Sequence, residues 1–452
     1  MLGQSRDNGP EEPFQARGEA LRARDILHVV TLHPRGPHWR ARTVLIDDPG
    51  PLEAFLPESG GLAWLRRGDG MIGLGEVARF EGGTAGDADR WWADVRARIQ
   101  HDTELPGVGG SGPVVFASFV FDPQRTAQHS VMVVPRIVVG RRRGRSWLTT
   151  ITPDGEEGRL PERRPAPAAP AGVRVVGANL TRRAWEQIVA EAVGRIVSDA
   201  GGLDKVVLAR AVTARAERPL ASNGLVTTLA ARYPTCWTYA VDGLVGASPE
   251  MLIRLEDGLA TSRVLAGTIR RNGEEELDLK LAHSLARSSK NLIEHELAVE
   301  SVAAALAPFC SGMNVPDAPY VLELPNVLHL ASDVTAVAQA GVSVVRLAAE
   351  LHPSAAVCGT PTDTARATIA ELEQLDRGRY SGPVGWMDAS GDGEFAIALR
   401  CGLIDETDPR SMTIYAGCGI VAGSDPAEEF AETEAKLIPM LEALGLPVAE
   451  SP

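Results

Sequence analysis

The residues of this chain best suited to chemistry are acids and lysines at helical or strand spacing. In DPAEEFAETEAKL, Glu429 and Glu432 stand three apart with Lys436 one turn further on, so a helix would put all three on one face. In KNLIEHELAVE, Asn291 and Glu294 repeat that spacing. If two such helices converged, their oxygens would suit Mg²⁺, a hard cation that retains several waters. Taken singly, each pair fits a solvated helix face better. Lys205 opens the run KVVLARAVTA, where Lys205, Val207, Ala209 and Ala211 would share one strand face. It is either an edge lysine snorkelling to water or a partly desolvated amine able to act as a general base. Glu250, after Ser248 and Pro249, reads by itself as a turn acid.

Glycines recur where strands should end: Gly267 in VLAGTIR, Gly359 in AVCGTP, and Gly417 and Gly419 in AGCGI. They allow close backbone approach, and paired amides there could hold a carboxylate. The spacing is neither GxGxxG nor GxxxxGK[ST], so no nucleotide loop is indicated. Cys418 lies between two of these glycines, but no motif brings it a base, so a thiol nucleophile is disfavoured.

The elements that must position these groups follow from hydrophobic periodicity. Strand-like runs HVVTL, TVLID, GMIGLGEVARF, PVVFASFVF and SVMVVPRIVVG alternate with turns between about 25 and 150. A Pro/Ala-rich loop at 159–172 separates a sheet-rich part, 21–158, from a core, 173–452, within one domain, and residues 1–20 read as a disordered tail. Further strands are expected at CWTYAVDG, EMLIRLED, GPVGWMD, EFAIALRCGLI and SMTIYAGCGIV. Helices are expected over 181–200, with Trp185, Ile188, Val189, Ala192, Ile196 and Val197 on one face, and at about 274–308, 341–351, 362–374 and 426–445. Strands and helices without strict βαβ alternation predict an α+β layered fold.

Composition narrows the function classes. The 452 residues carry 45 Lys plus Arg against 59 Asp plus Glu, a formal charge of −14, which argues against sequence-independent nucleic-acid binding. A cleft with a few cations or a metal could still take an anionic substrate. The five cysteines form no CxxC pair, and no apolar run reaches membrane-spanning length. The expectation is a cytoplasmic protein.

In order along the chain, KVVLAR (205–210), GASPEMLIR (246–254), LAGTIRR (265–271), SKNLIEHELAV (289–299), VLHLASDV (327–334), LHPSAAVCGTP (351–361), YSGPVGW (380–386), FAIALR (395–400) and AGCGIVAGSDPAEEFAETEAKL (416–437) resemble the chorismate-utilising enzymes. The likeness runs from about Trp185 to Leu444, and more loosely through WLRRGDGMIGLGE (64–76). It implies that family's fold, two large mainly antiparallel sheets packed face to face with helices outside. It also implies roles: Lys205 as the base that deprotonates water, Glu250 as the acid that protonates the departing hydroxyl, and Glu294, Glu429 and Glu432 as a Mg²⁺ set. Tyr380, Arg400, Lys436 and the amides of Gly417 and Gly419 would grip the enolpyruvyl carboxylate. Gly267 and Thr268 would line the ring, and His329 would sit against the carboxylate end. Where the family usually has Asp or Glu three residues before Glu294, this chain has Asn291, which could reach the ion through a water.

Single positions point to a subfamily. Lys205 stands where ammonia-adding members usually carry Gln, and Ala266 where the aminodeoxychorismate branch resembles a lysine nucleophile. Ala356 replaces a threonine more usual in members that eliminate pyruvate. The resemblance therefore implies an isochorismate synthase of the menaquinone or siderophore type, with chorismate as substrate. A salicylate synthase and a non-catalytic chorismate-binding homologue are the alternatives. No membrane, nucleic acid or fused glutaminase is expected, and the chain is expected to be a monomer or weak homo-oligomer.

Overall fold

The computed structural model describes residues 38–156, 158–198, 202–323 and 327–447, apart from the side chains of Thr268, Arg270, Lys290 and Glu294. The expected tail at 1–20 and the strand HVVTL lie outside these residues. Among them, a 13-stranded and a 10-stranded sheet form the α+β architecture expected from the sequence. In the larger sheet the order is 174–178, 205–215, 411–420, 401–404, 244–248, 237–241, 62–66, 69–74, 137–142, 145–152, 39–46 and 99–103, with the two residues Gly359–Thr360 beside the start of 205–215. The smaller sheet runs 310–314, 327–338, 259–270, 251–256, 393–397, 383–388, 114–118, 131–134 and 78–81, with Tyr320–Glu323 also paired to 327–338. All described pairings are antiparallel except Trp39–Thr43 with Ile99–Thr103. In both sheets the strands from before the 159–172 loop form one contiguous block and those from after it another, joined by the pairing of 237–241 with 62–66 and of 383–388 with 114–118.

The layering follows from alternation along the strands. In Lys205–Arg215, Ala209 and Ala211 join a core shared with Trp64, Tyr239, Phe116 and Trp386, which come from both sheets. Val212 and Ala214 point the other way, into a core beneath the helices Ser222–Arg232 and Pro426–Ala443. A third core covers the outer face of the smaller sheet with the helices Ala85–Arg96 and Val344–Leu351.

Several elements depart from expectation. The helix foreseen over 274–308 is two, Glu275–Arg287 and Ser289–Leu306. Ser288 ends one and caps the other, its hydroxyl accepting from the Asn291 amide. In Arg182–Val197, Trp185, Val189 and Ala192 are buried as expected, but Val197, the last helical residue, is 66% exposed. Ala85–Arg96 and Ser222–Arg232 were not foreseen. The first has a capping box between Thr84 and Asp87, and the second buries five consecutive residues, Ser222 to Val226, which hides its 3.6-residue period.

Candidate active site

The strand Lys205–Arg215 runs antiparallel to Ser411–Ile420, with Val207 opposite Gly419 and Ala209 opposite Gly417. In such a ladder, opposed residues alternate between exchanging hydrogen bonds and turning their backbone groups outward. The Val207 amide donates to the Cys358 carbonyl (2.8 Å) and the Ala209 amide to Glu373 (2.7 Å), both on the far side. Their partners Gly419 and Gly417 must therefore direct their own N–H groups away from Lys205–Arg215. On that side Cys401–Ile404 pairs only with residues 412–414. The two amides thus open beyond its end, and the Gly417 carbonyl accepts from Lys436 Nζ at 2.8 Å.

These amides border a cavity of about 240 Å³ that gathers most of the predicted residues. Lys205, Gly417 and Gly419 form one wall, with Glu432 and Lys436 from the C-terminal helix. Glu250, at the passage from one sheet to the other, and His329 face the same space, as do Gly267 and Asn291. Ala356, Tyr380 and Arg400 complete it. Gly419 is open for a specific reason: a Cβ there would stand 3.0 Å from Lys205 Cε, so the lysine stem crosses the space that a side chain would fill. Gly267 has φ of +78° at a bulge between Ala266 and Thr268, where a Cβ would come within 3.2 Å of Asn291 Cβ. That close approach seats the helix Ser289–Leu306, which His295 also ties down by contacts with Ser332 Oγ (2.8 Å) and the Ala266 carbonyl (3.3 Å).

The electrostatics sort the groups by charge state. Burial pushes the Glu250 carboxyl up to about 7, against the opposing pull of Lys205, Lys436 and Arg400. It is therefore an acid that keeps its proton near neutrality. Burial, then the nearby Arg400 and Lys436, hold His329 down at about 3, so its imidazole is neutral. Arg400 and Lys436 supply cations for an anionic ligand. Arg400 (φ +50°) and Ser381 (φ +58°), both at the cavity wall, adopt the left-handed conformation that non-glycine residues rarely take. Such strain costs on the order of 1–3 kcal/mol each and gathers at functional sites. Tyr380 is buried and stacks on Tyr415 with ring centroids 5.0 Å apart.

The acidic helix Pro426–Ala443 begins with Pro426 and an Asp425 cap that accepts from the amides of Ala427 and Glu428. Arg210 fastens it to the sheet: Nε donates to Thr433 Oγ1 at 2.7 Å, and the guanidinium pairs with Glu434 and lies over Phe430. Glu432 pairs with Lys436 at 2.6 Å. Burial works against its charge, but Lys436, Arg400 and His329 together hold the carboxyl below the usual range. Glu429 lies one turn earlier. Its Oε2 is buried with no hydrogen-bond partner among the described residues, and burial, with the Glu432 charge adding, raises its carboxyl against the opposing hydrogen bonds of Ser424 and Cys418. A buried orphan carboxylate oxygen beside a second carboxylate fits a hard divalent cation. The Glu294 and Thr268 side chains lie outside the described residues. Glu294 belongs to the helix Ser289–Leu306, and the Thr268 backbone pairs with His329.

Sequence reasoning missed Ser381, Glu373 and Arg377. The i,i+4 spacing of Glu373 and Arg377, just before YSG, reads as a surface pair, yet both are buried at 1% and 4% exposure. The Cys418 thiol is buried and lies 3.7 Å from the Glu429 carbonyl, and burial raises it well above the usual range.

The chorismate binding enzyme family model matches residues 64–445. Isochorismate synthase MenF of Bacillus subtilis is 32% identical over 410 residues, covering 83% of this chain and 85% of that protein. Isochorismate synthase DhbC of the same organism is 39% identical over 258 residues, 54% of this chain and 64% of that protein, less than two thirds of its length. The solved structure of MenF, the menaquinone-specific isochorismate synthase of Escherichia coli, superposes with a TM-score of 0.76 at 26% identity, covering 90% of this chain and 95% of that one. With that fold and the family match across both sheets, the chain belongs to the chorismate binding enzymes.

Proposed function

We propose that this protein is an isochorismate synthase, an isomerase that moves the chorismate hydroxyl from C4 to C2. The observation that carries the reading is one cavity holding an amine, Lys205, and a carboxyl that is half protonated at about pH 7, Glu250, between cations able to take a carboxylate. Relatives named isochorismate synthase, matched over most of their length, support it.

Arg400, Lys436, Tyr380 and the outward amides of Gly417 and Gly419 bind the enolpyruvyl carboxylate. This requires Lys436 to release its pairing with Glu432. Lys205 in its amine form accepts a proton from water as the oxygen bonds to C2. The ring double bonds shift, the C4–O bond breaks, and Glu250 donates the proton that lets the hydroxyl depart as water. One water enters and one leaves, so the reaction is an isomerisation. Each proton transfer is worth roughly 10²–10⁴-fold in rate. Gly267, Thr268 and Ala356 shape the ring site, and neutral His329 adds no charge beside it. Glu429, Glu432 and Glu294, with Asn291 through a water, would hold Mg²⁺, which neutralises the ring carboxylate when bound.

The test is product analysis by chromatography and mass after incubating the protein with chorismate and Mg²⁺. Isochorismate without pyruvate is expected. Salicylate with stoichiometric pyruvate would make it a salicylate synthase, and no turnover at any Mg²⁺ concentration would refute an enzymatic role. The reading places the protein in the cytoplasm, where its product would feed a menaquinone or siderophore branch.

A further inference from the structure

The edge of Lys205–Arg215 that faces away from Ser411–Ile420 is only partly covered. Gly359–Thr360 pairs with Lys205 and Val206, and Arg174–Ala178 pairs with Val212–Arg215. Between them, residues 207–211 have no strand beside them among the described residues. Asn179 serves one end, its Oδ1 accepting from the Ala211 amide at 2.8 Å and its own amide donating to the Ala211 carbonyl at 3.1 Å. The middle is served by two charged side chains. Arg377 Nη2 donates to the Val207 carbonyl at 2.7 Å, and Glu373 Oε1 accepts from the Ala209 amide at 2.7 Å. The two are ion-paired, with Arg377 Nε donating to Glu373 Oε2 at 2.9 Å.

The same pair reaches two other walls of the cavity. Arg377 Nη1 donates to the Val357 carbonyl at 2.8 Å and contacts Ser381 Oγ at 3.3 Å. The Arg377 carbonyl accepts from the Tyr380 amide at 2.9 Å, and its guanidinium lies 4.3 Å from the Phe121 ring centroid. A buried ion pair adds little net stability over a well-packed apolar pair. What this one supplies is geometry: the planar guanidinium fork holds two backbone carbonyls, of Val207 and Val357, and the Ser381 hydroxyl in fixed relation to one another.

We propose that the Glu373–Arg377 ion pair replaces a missing strand and is a positioning device for the reaction. It locks the backbone two residues beyond Lys205 to the Tyr380–Ser381 turn and to Val357, so that the amine and the phenol keep their relative places. The proposal rests on the isochorismate synthase reading of this cavity.

Glu373→Gln and Arg377→Lys test it. The first keeps shape and loses the charge, and the second keeps the charge and loses the fork. Chorismate turnover is measured well below the melting temperature, with circular dichroism establishing that each variant is fully folded. Amide hydrogen exchange is followed in parallel. The expected result is a kcat lower on the order of 10²-fold with KM nearly unchanged, the size of effect that a misplacement of about 1 Å produces. Faster exchange at the Ala209 amide should accompany it. Folded variants with kcat close to the parent's overturn the proposal. So does failure of both variants to fold, which would make the pair structural. If the parent itself does not convert chorismate, the functional reading falls, and hydrogen exchange alone decides the strand-replacing role: unchanged protection at Ala209 overturns it.

Discussion

Replacing Glu250 by Gln gives two independent readings of one buried proton. The carboxyl is raised from an ordinary 4.5 to about 7, chiefly by burial. The folded protein therefore holds a proton there, between about pH 4.5 and 7, that the unfolded chain releases. Stability must fall as pH rises through that window and then level off, because the native state binds more protons than the unfolded one. The gap is worth roughly 3 kcal/mol, an upper figure since water entering the cavity would soften it. Gln mimics the protonated acid and does not titrate. Urea unfolding in metal-free buffer from pH 4.5 to 8.5 should thus show the variant gaining on the parent by up to about 3 kcal/mol, all of it acquired below about pH 7.5. Turnover should move the opposite way, falling roughly 10²–10⁴-fold at neutral pH because the departing hydroxyl loses its proton donor. In the parent, kcat/KM should decline as pH rises past about 7, and that limb should vanish from the residual activity of the variant. A stability difference that stays flat with pH would show that Glu250 titrates like a solvated carboxylate, and the assignment of the acid would fail with it.

Other expectations concern the lysine and the acidic helix. Gly419→Ala puts a methyl where Lys205 Cε now lies 3.0 Å from the Cβ position, at the far end of a flexible side chain. Melting should change little while kcat falls about tenfold or more, as misplacement costs require; unchanged turnover would show that Lys205 can take another path. Glu429→Gln removes a carboxyl that burial and Glu432 hold above its usual range. The metal-free variant should melt no lower than the parent at pH 8, with the advantage shrinking toward pH 4.5, and should lose most of the rise in melting temperature that Mg²⁺ gives the parent. A full Mg²⁺ response would take Glu429 out of the ligand set. Asn291→Asp adds a carboxylate at the cavity wall and should lower the Mg²⁺ dissociation constant measured by calorimetry, which an equal or weaker constant would contradict.

The division between what was legible in the sequence and what was not has a physical basis. Elements with a clear period or apolar run announced themselves: the acidic helix, the alternation along Lys205–Arg215, whose two faces enter different cores, and the wholly buried strand Pro383–Asp388. Ser222–Arg232 did not, because burial on nearly every side erases the period. The break at Ser288 was hidden because Ser-Ser-Lys interrupts neither charge nor hydropathy, and only the hydroxyl of Ser288 capping the Asn291 amide ends one helix and starts the next. Within the site, residue types and their order could be read, since each block carries its own chemistry. Relations across the chain could not. That Gly417 and Gly419 point their amides at the cavity depends on which residues of the opposite strand donate backward. That in turn depends on Glu373, far along the chain from Ala209. The same pair read locally is one helical turn of surface charge. Its meaning comes from a gap in a sheet edge that exists only after the two short flanking strands have docked. The least legible residues of this site are thus those that act on backbone rather than on substrate, because a backbone carbonyl awaiting a partner leaves no mark in the sequence.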